Sequence, residues 1–193
     1  MSIFIRKSLL AGILIGLAGA LFLSVEQPYV AAFIFSIGLI SVILLGCNLY
    51  TGKVGYARTP GDVPGLLGMC LLNIIGAGLI GLATHPIVGP AAETVAAKKL
   101  SKPLPQAFIS ACLCGMLIYL AVELYKRSQN LLTIIIPVFT FVAAGTDHCI
   151  ANAYYFAAAM TFNLQVFLFL VVCILGNATG SLIISLLAVK EAG

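Results

Sequence analysis

The sequence predicts an all-α membrane protein of six transmembrane helices, built as a 3+3 inverted repeat with interrupted second and fifth helices. Three observations carry this. Hydrophobic residues make up 62% of the 193 residues and charged residues 8%. A soluble domain needs roughly 25% charged residues to coat its surface, so this surface faces lipid. Six stretches are long and apolar enough to span, at about 20 residues each. Finally, Asn73-Ile74-Ile75-Gly76 in the third stretch is matched by Asn177-Ala178-Thr179-Gly180 in the sixth, and each follows a stretch broken by a polar cluster. Two halves of three helices enter the membrane from opposite sides, and paired broken helices in such repeats point to a transport site near the midplane.

The stretches follow in order. The first covers residues 3–24, and within it Arg6-Lys7 precede an apolar run, 8–24, in a signal-like pattern. The pattern resumes at Pro28 with no cleavage site leading to a soluble domain, so the run is expected to be a retained helix. The second covers 29–50 and stops at Thr51-Gly52-Lys53. The third covers 64–84, placing His85 in a loop before Pro86. The fourth covers 105–125 and stops at Lys126-Arg127. The fifth starts near 131 and is interrupted at 145–148. The sixth covers 162–189. The chain is thus one transmembrane domain, 1–193, with halves at about 1–102 and 103–193. Six spans put both termini on one side with Arg6, Lys7, Lys53, Arg58, Lys126, Arg127 and Lys190. Lys98, Lys99 and Lys102 fall on the other. The excess of basic residues places both termini in the cytoplasm.

Polar groups at membrane depth, Asn73 and Asn177 among them, are pore candidates by their cost. In the fifth stretch Asp147, His148 and Asn152 lie within six residues, just after Gly145. An unwound turn at Gly145 would let Asp147 cap the next half-helix and let His148 point into a cavity; a structural histidine near one interface is the alternative. Thr51 offers a hydroxyl at the break in the second stretch, either to a pore histidine or an anion, or else sits in an ordinary loop. Lys98, Lys99 and Lys102 either concentrate anions at a pore mouth or form a solvated loop. Glu123 is expected to pair with Lys126 or Arg127 at helical spacing.

Other classes find no support. No basic run suggests nucleic acid. No nucleophile elbow, P-loop, zinc helix or dinucleotide fingerprint is present, so neither an enzyme nor a cofactor is expected. Two histidines, His85 and His148, exclude a His-rich metal site. The six cysteines form no C-x-x-C pair and read as small packing residues.

The segment Phe141-Val142-Ala143-Ala144-Gly145-Thr146-Asp147-His148-Cys149-Ile150-Ala151-Asn152 resembles the formate/nitrite transporter family. Leu49-Tyr50-Thr51-Gly52, the two N-x-x-G segments around Asn73 and Asn177, and Cys114-Gly115-Met116-Leu117 are similar to further pieces of it, so the resemblance spans the chain. It implies an aquaporin-like fold and a homopentamer with one pore per protomer. It implies His148 as the central pore histidine, met by Thr51. Phe35, Leu39 and Phe141 become an outer constriction, Leu49 and Tyr50 an inner one, and Lys99 or Lys102 the vestibule lysine. Gly115 stands where formate-type members often carry Asn, and Asp147 where they often carry Glu. The expected function is a channel for small monovalent anions or their conjugate acids (formate, nitrite, hydrosulfide or short-chain carboxylate) in the cytoplasmic membrane, with protons as partners through His148. A neutral-solute pore for water or ammonia is the alternative, and its paired N-P-A motifs are missing, since Ala153 follows Asn152.

Overall fold

The computed structural model describes residues 1–188. Eight α-helices appear: α1 (Ile3–Leu23), α2 (Pro28–Leu44), α3 (Tyr50–Lys53), α4 (Val63–Leu100), α5 (Leu104–Ser128), α6 (Leu132–Ala143), α7 (Cys149–Ala158) and α8 (Leu164–Leu187). Lys190 and the end of the sixth expected span at Val189 lie outside the described residues. Among the described residues four helices are long and apolar enough to cross a membrane, namely α1, α4 with the turn before it, α5 and α8; α2 and α6 are shorter and apolar. Large apolar side chains such as Leu17, Leu79, Ile109 and Phe167 are exposed along the long helices, as lipid-facing surface requires.

Local chemistry sets the helix ends. Ser2 caps α1 through Ile5 N–H, and Asn163 caps α8 through Val166 N–H. Pro28 opens α2, where its missing N–H costs nothing. The breaks after α2 and α6 share one geometry. Gly46 (φ +59°) and Gly145 (φ +67°) adopt the left-handed conformation that glycine tolerates. Each amide returns to the carbonyl three residues back, Ile43 or Val142. The next amide, Cys47 or Thr146, returns five residues back to Val42 or Phe141. This Schellman pattern satisfies the final carbonyls and turns the chain out of the helix. An extended residue, Leu49 or His148, then starts the next helix. The break in the second stretch thus begins at residue 45, earlier than Thr51-Gly52-Lys53 suggests.

The third stretch does not stop at residue 84. Helix α4 runs on to Leu100 with Pro86 and Pro90 inside it, so His85 is helical, and its Nδ1 lies 2.8 Å from the Ala158 carbonyl. Helix propensity penalises interior proline, yet the packing of α4 against α7 outweighs it.

Packing is organised by two asparagines. Asn73 Oδ1 accepts from Tyr50 N–H (2.8 Å), and its Nδ2 donates to the Ser8 and Asn48 carbonyls (2.6 and 2.9 Å). Asn177 Oδ1 accepts from Cys149 N–H (2.9 Å), and its Nδ2 donates to the Ala111 and Asp147 carbonyls (2.8 and 2.9 Å). Each asparagine therefore ties a break to the two long helices of its own half. Close backbone approach accompanies this. A Cβ on Gly12 would sit 2.1 Å from the Asn73 carbonyl oxygen, and one on Gly115 2.2 Å from that of Asn177. Gly115 is thus a packing residue against α8, and no side chain fits there.

Candidate functional site

A recess of about 250 Å³ opens between the α4 end, the α6–α7 break and the α1–α2 corner. Lys98, Lys99 and Lys102 border it, as do Phe35, Phe141, His148 and Asn152. Aromatic rings close part of its wall. Phe141 stacks on the His148 ring at 5.9 Å with planes 15° apart; Phe35 meets Phe141 edge-on at 6.1 Å, and Phe22 meets Phe35 edge-on at 6.3 Å. Such edge-to-face pairs suit the aromatic quadrupole.

His148 is 3% exposed and uses both ring nitrogens. Nδ1 accepts from Ala151 N–H at 3.1 Å, and Nε2 lies 3.0 Å from Thr51 Oγ1. A backbone N–H can only donate, so Nδ1 carries no proton. The neutral ring therefore bears its proton on Nε2, which donates to the Thr51 hydroxyl oxygen. Thr51 is itself 1% exposed; it is no ordinary loop residue. His148, not Asp147, caps α7: His148 has the extended backbone and the side-chain bond to Ala151 N–H.

Asp147 has another role. Its carboxylate is fully buried and accepts from Lys99 Nζ at 2.7 Å and from Lys102 Nζ. Lys99 also donates to the Thr146 carbonyl at 3.2 Å, and Lys102 to Ser110 Oγ at 3.3 Å. The lysines are therefore not a solvated loop. Lys99 stands on the last turn of α4 and is 9% exposed. Two ammonium groups share one carboxylate, so this cluster keeps one net positive charge beside the recess, with Lys98 adding a second. The field there favours anions.

The remaining expected residues divide. Leu39, Leu49 and Tyr50 are buried in the core rather than on the recess wall, and Tyr50 Oη donates to the Ile174 carbonyl at 3.2 Å. Asn73 and Asn177 hold backbone, as described, and neither borders the recess. Glu123 pairs with Arg127 at 2.8 Å and accepts from Tyr56 Oη at 2.8 Å, while Lys126 lies over the Tyr56 ring. The sequence reading missed Phe22, Val95 and Tyr155, which also line the recess. Tyr155 shares a helical face with His148 and Asn152, a signal available once α7 is placed. Phe22 and Val95 arrive only through tertiary packing.

Comparison with known proteins follows the same lines. A sequence model of the formate/nitrite transporter family matches residues 1–190. The chain is 27% identical to a probable formate transporter of Methanothermobacter thermautotrophicus, over 78% of this chain and 69% of that protein. It is 26% identical to the nitrite transporter NirC of Salmonella typhimurium, over 68% of this chain and 56% of that one. Among solved structures, an FNT family ion channel superposes with TM-score 0.85 at 23% identity, covering 93% of this chain and 86% of that one. A pentameric formate channel with formate bound superposes with TM-score 0.77 at 24% identity, covering 92% and 91%. The glycine-turned breaks, the buried Thr51–His148 pair and the match of a family model to almost every residue converge on one assignment: the chain belongs to the formate/nitrite transporter family.

Proposed function

We propose that this protein is a channel that carries small monovalent anions across the membrane as their conjugate acids. The observation behind this reading is what one recess brings together: net positive charge at Lys98, Lys99 and Lys102, the apolar rings of Phe35 and Phe141, and the His148 ring bonded to Thr51. Positive charge draws an anion in. A bare anion cannot pass apolar rings without a large desolvation cost. An apolar surrounding disfavours charge on a carboxylate-type solute and so raises its proton affinity; the neutral acid then passes. His148 acts here as a neutral hydrogen-bond donor, because an imidazolium would set its Nδ1–H against Ala151 N–H. Leu39, Leu49 and Tyr50 continue the apolar path.

The same reading extends to architecture. The six-span inverted repeat, with halves at about 1–102 and 103–193, is supported by the twinned asparagine clamps and the twinned breaks. Helices α6 and α7 together are ~33 Å long, close to the ~30 Å hydrocarbon core. A homopentamer in the cytoplasmic membrane, both termini inside, fits the pentameric formate channel of like fold and the basic residues at Arg6, Lys7, Lys53, Arg58, Lys126 and Arg127.

Proteoliposomes loaded with a pH dye test the transport reading. Formate, nitrite, hydrosulfide, acetate and lactate are supplied at two pH values. The expected result is uptake that acidifies the lumen and rises as external pH falls, because the acid fraction rises. His148→Ala and His148→Phe are expected to change both rate and pH profile. Unchanged rate and profile in both variants would remove His148 from the mechanism. Water or ammonia flux with no weak-acid uptake would replace the channel assignment.

A further inference from the structure

Among the described residues, two buried side-chain polar atoms have no protein hydrogen-bond partner: Ser36 Oγ and Asn152 Oδ1. Ser36 lies on α2 and does not border the recess. Asn152 does border it, one helical turn beyond His148, and is fully buried. Its orientation is fixed by what lies behind it. Nδ2 points toward Asp147 Oδ1 at 3.4 Å and Cys173 Sγ at 3.5 Å. Turning the amide over would set Oδ1 against the Asp147 carboxylate, so the amide N–H groups face Asp147 and the acceptor faces elsewhere. A buried acceptor left unpaired carries a penalty of roughly 1–3 kcal/mol. Such an atom beside a solute path needs a donor.

We propose that Asn152 determines specificity by accepting a hydrogen bond from the O–H of the protonated solute. This rests on the channel reading above and goes further, for it assigns the chemical feature that is selected. An oxyanion, formate or nitrite, has only acceptors toward this site, and Asn152 Oδ1 repels them. A protonated oxyacid, formic or nitrous, offers one strong O–H donor. The lysines thus favour the anion and Asn152 favours the acid, and both stand against the same Asp147 carboxylate beside the recess. A weak S–H donor, as in hydrogen sulfide, gains little from the same oxygen. Asn152 therefore separates oxyacids from hydrosulfide among solutes of similar size.

The test is the ratio of formate to hydrosulfide uptake in proteoliposomes. In Asn152→Leu, of similar size and without an acceptor, formate uptake is expected to fall about tenfold or more and hydrosulfide uptake less than about threefold. Asn152→Ala is expected to give the same ratio, and Asn152→Ser, which keeps a small acceptor, to recover part of it. The Ala and Ser proteins keep the test open if the Leu protein fails to assemble. Equal losses for both solutes would mean that Asn152 only positions Asp147 and would overturn the proposal. So would an unchanged ratio in an active channel. Uptake of neither solute by the unsubstituted protein would overturn the channel reading together with this inference, an outcome distinct from the other two.

Discussion

At the scale of single residues, the least expected feature is Asp147 holding two lysines. Asp147 sits one residue before the α7 cap and is fully buried. Removing its charge leaves Lys99 and Lys102 facing each other without a counter-ion. Breaking a buried ion pair by deleting one partner costs about 3–5 kcal/mol. Asp147→Asn is therefore expected to lower the thermal midpoint of the purified protein clearly. Adding Lys99→Met and Lys102→Met to that variant is expected to restore much of it, because no buried charge is then left alone. Four proteins, the fourth carrying Lys99→Met and Lys102→Met alone, and one melting series decide the point; additive losses would show that the groups are uncoupled. Little of this pairing was legible in the sequence. Asp147 resembles a helix cap because Asp is a favoured capping residue. The cap instead falls to whichever residue holds the extended backbone, and that is His148. The third span reads as ending before the lysines, at residue 84 just ahead of Pro86, which leaves a pore mouth and a solvated loop both open for them. Tertiary packing, which the sequence does not display, accompanies the helix through both prolines to Lys99.

At the scale of elements, the two breaks were legible and their fastening was not. Gly46 and Gly145 announce themselves by glycine beside polar residues in apolar runs. Asn73 and Asn177 were visible as a repeated motif and read as pore residues. In the fold each spends all three of its hydrogen bonds on backbone, two of them at its own break. Periodicity cannot reveal such partners, which lie 23 to 30 residues away. Asn73→Leu is expected to free Tyr50 N–H and the Asn48 carbonyl, and to speed amide exchange over residues 47–53. Residues 147–151 are expected to keep their protection, because Asn177 holds them independently. Faster exchange at both breaks would mean that the two halves share one clamp.

At the scale of the whole molecule, the charge distribution defines an orientation that can be measured. Thr59 and Ser101 are both exposed, and they fall on opposite sides in the proposed topology. Thr59 lies beside Arg58; Ser101 lies between the recess lysines. With an impermeant maleimide on intact cells, Ser101→Cys is expected to label and Thr59→Cys only after permeabilisation, each compared with the unsubstituted chain. Five of the six native cysteines are buried, so background labelling is low. Labelling in the reverse order would invert the topology. The membrane character of the long helices was legible at this scale because apolar length is a local property. The recess was legible only in part. Its motif residues are contiguous in the chain, whereas Phe22 and Val95 come from helices far away in sequence.

The twinned clamps have one more consequence. Leu49 and His148 occupy the same station, the extended residue that follows a glycine turn and starts a returning helix. Three things around them are duplicated: the turn, the asparagine and a close-packed glycine. At that station one half carries a leucine and the other an imidazole. The repeated frame is thus filled unequally: the imidazole caps its helix and bonds Thr51, whereas Leu49 makes neither contact, and Asp147 beside the imidazole holds two lysines while Asn48 stands beside the leucine.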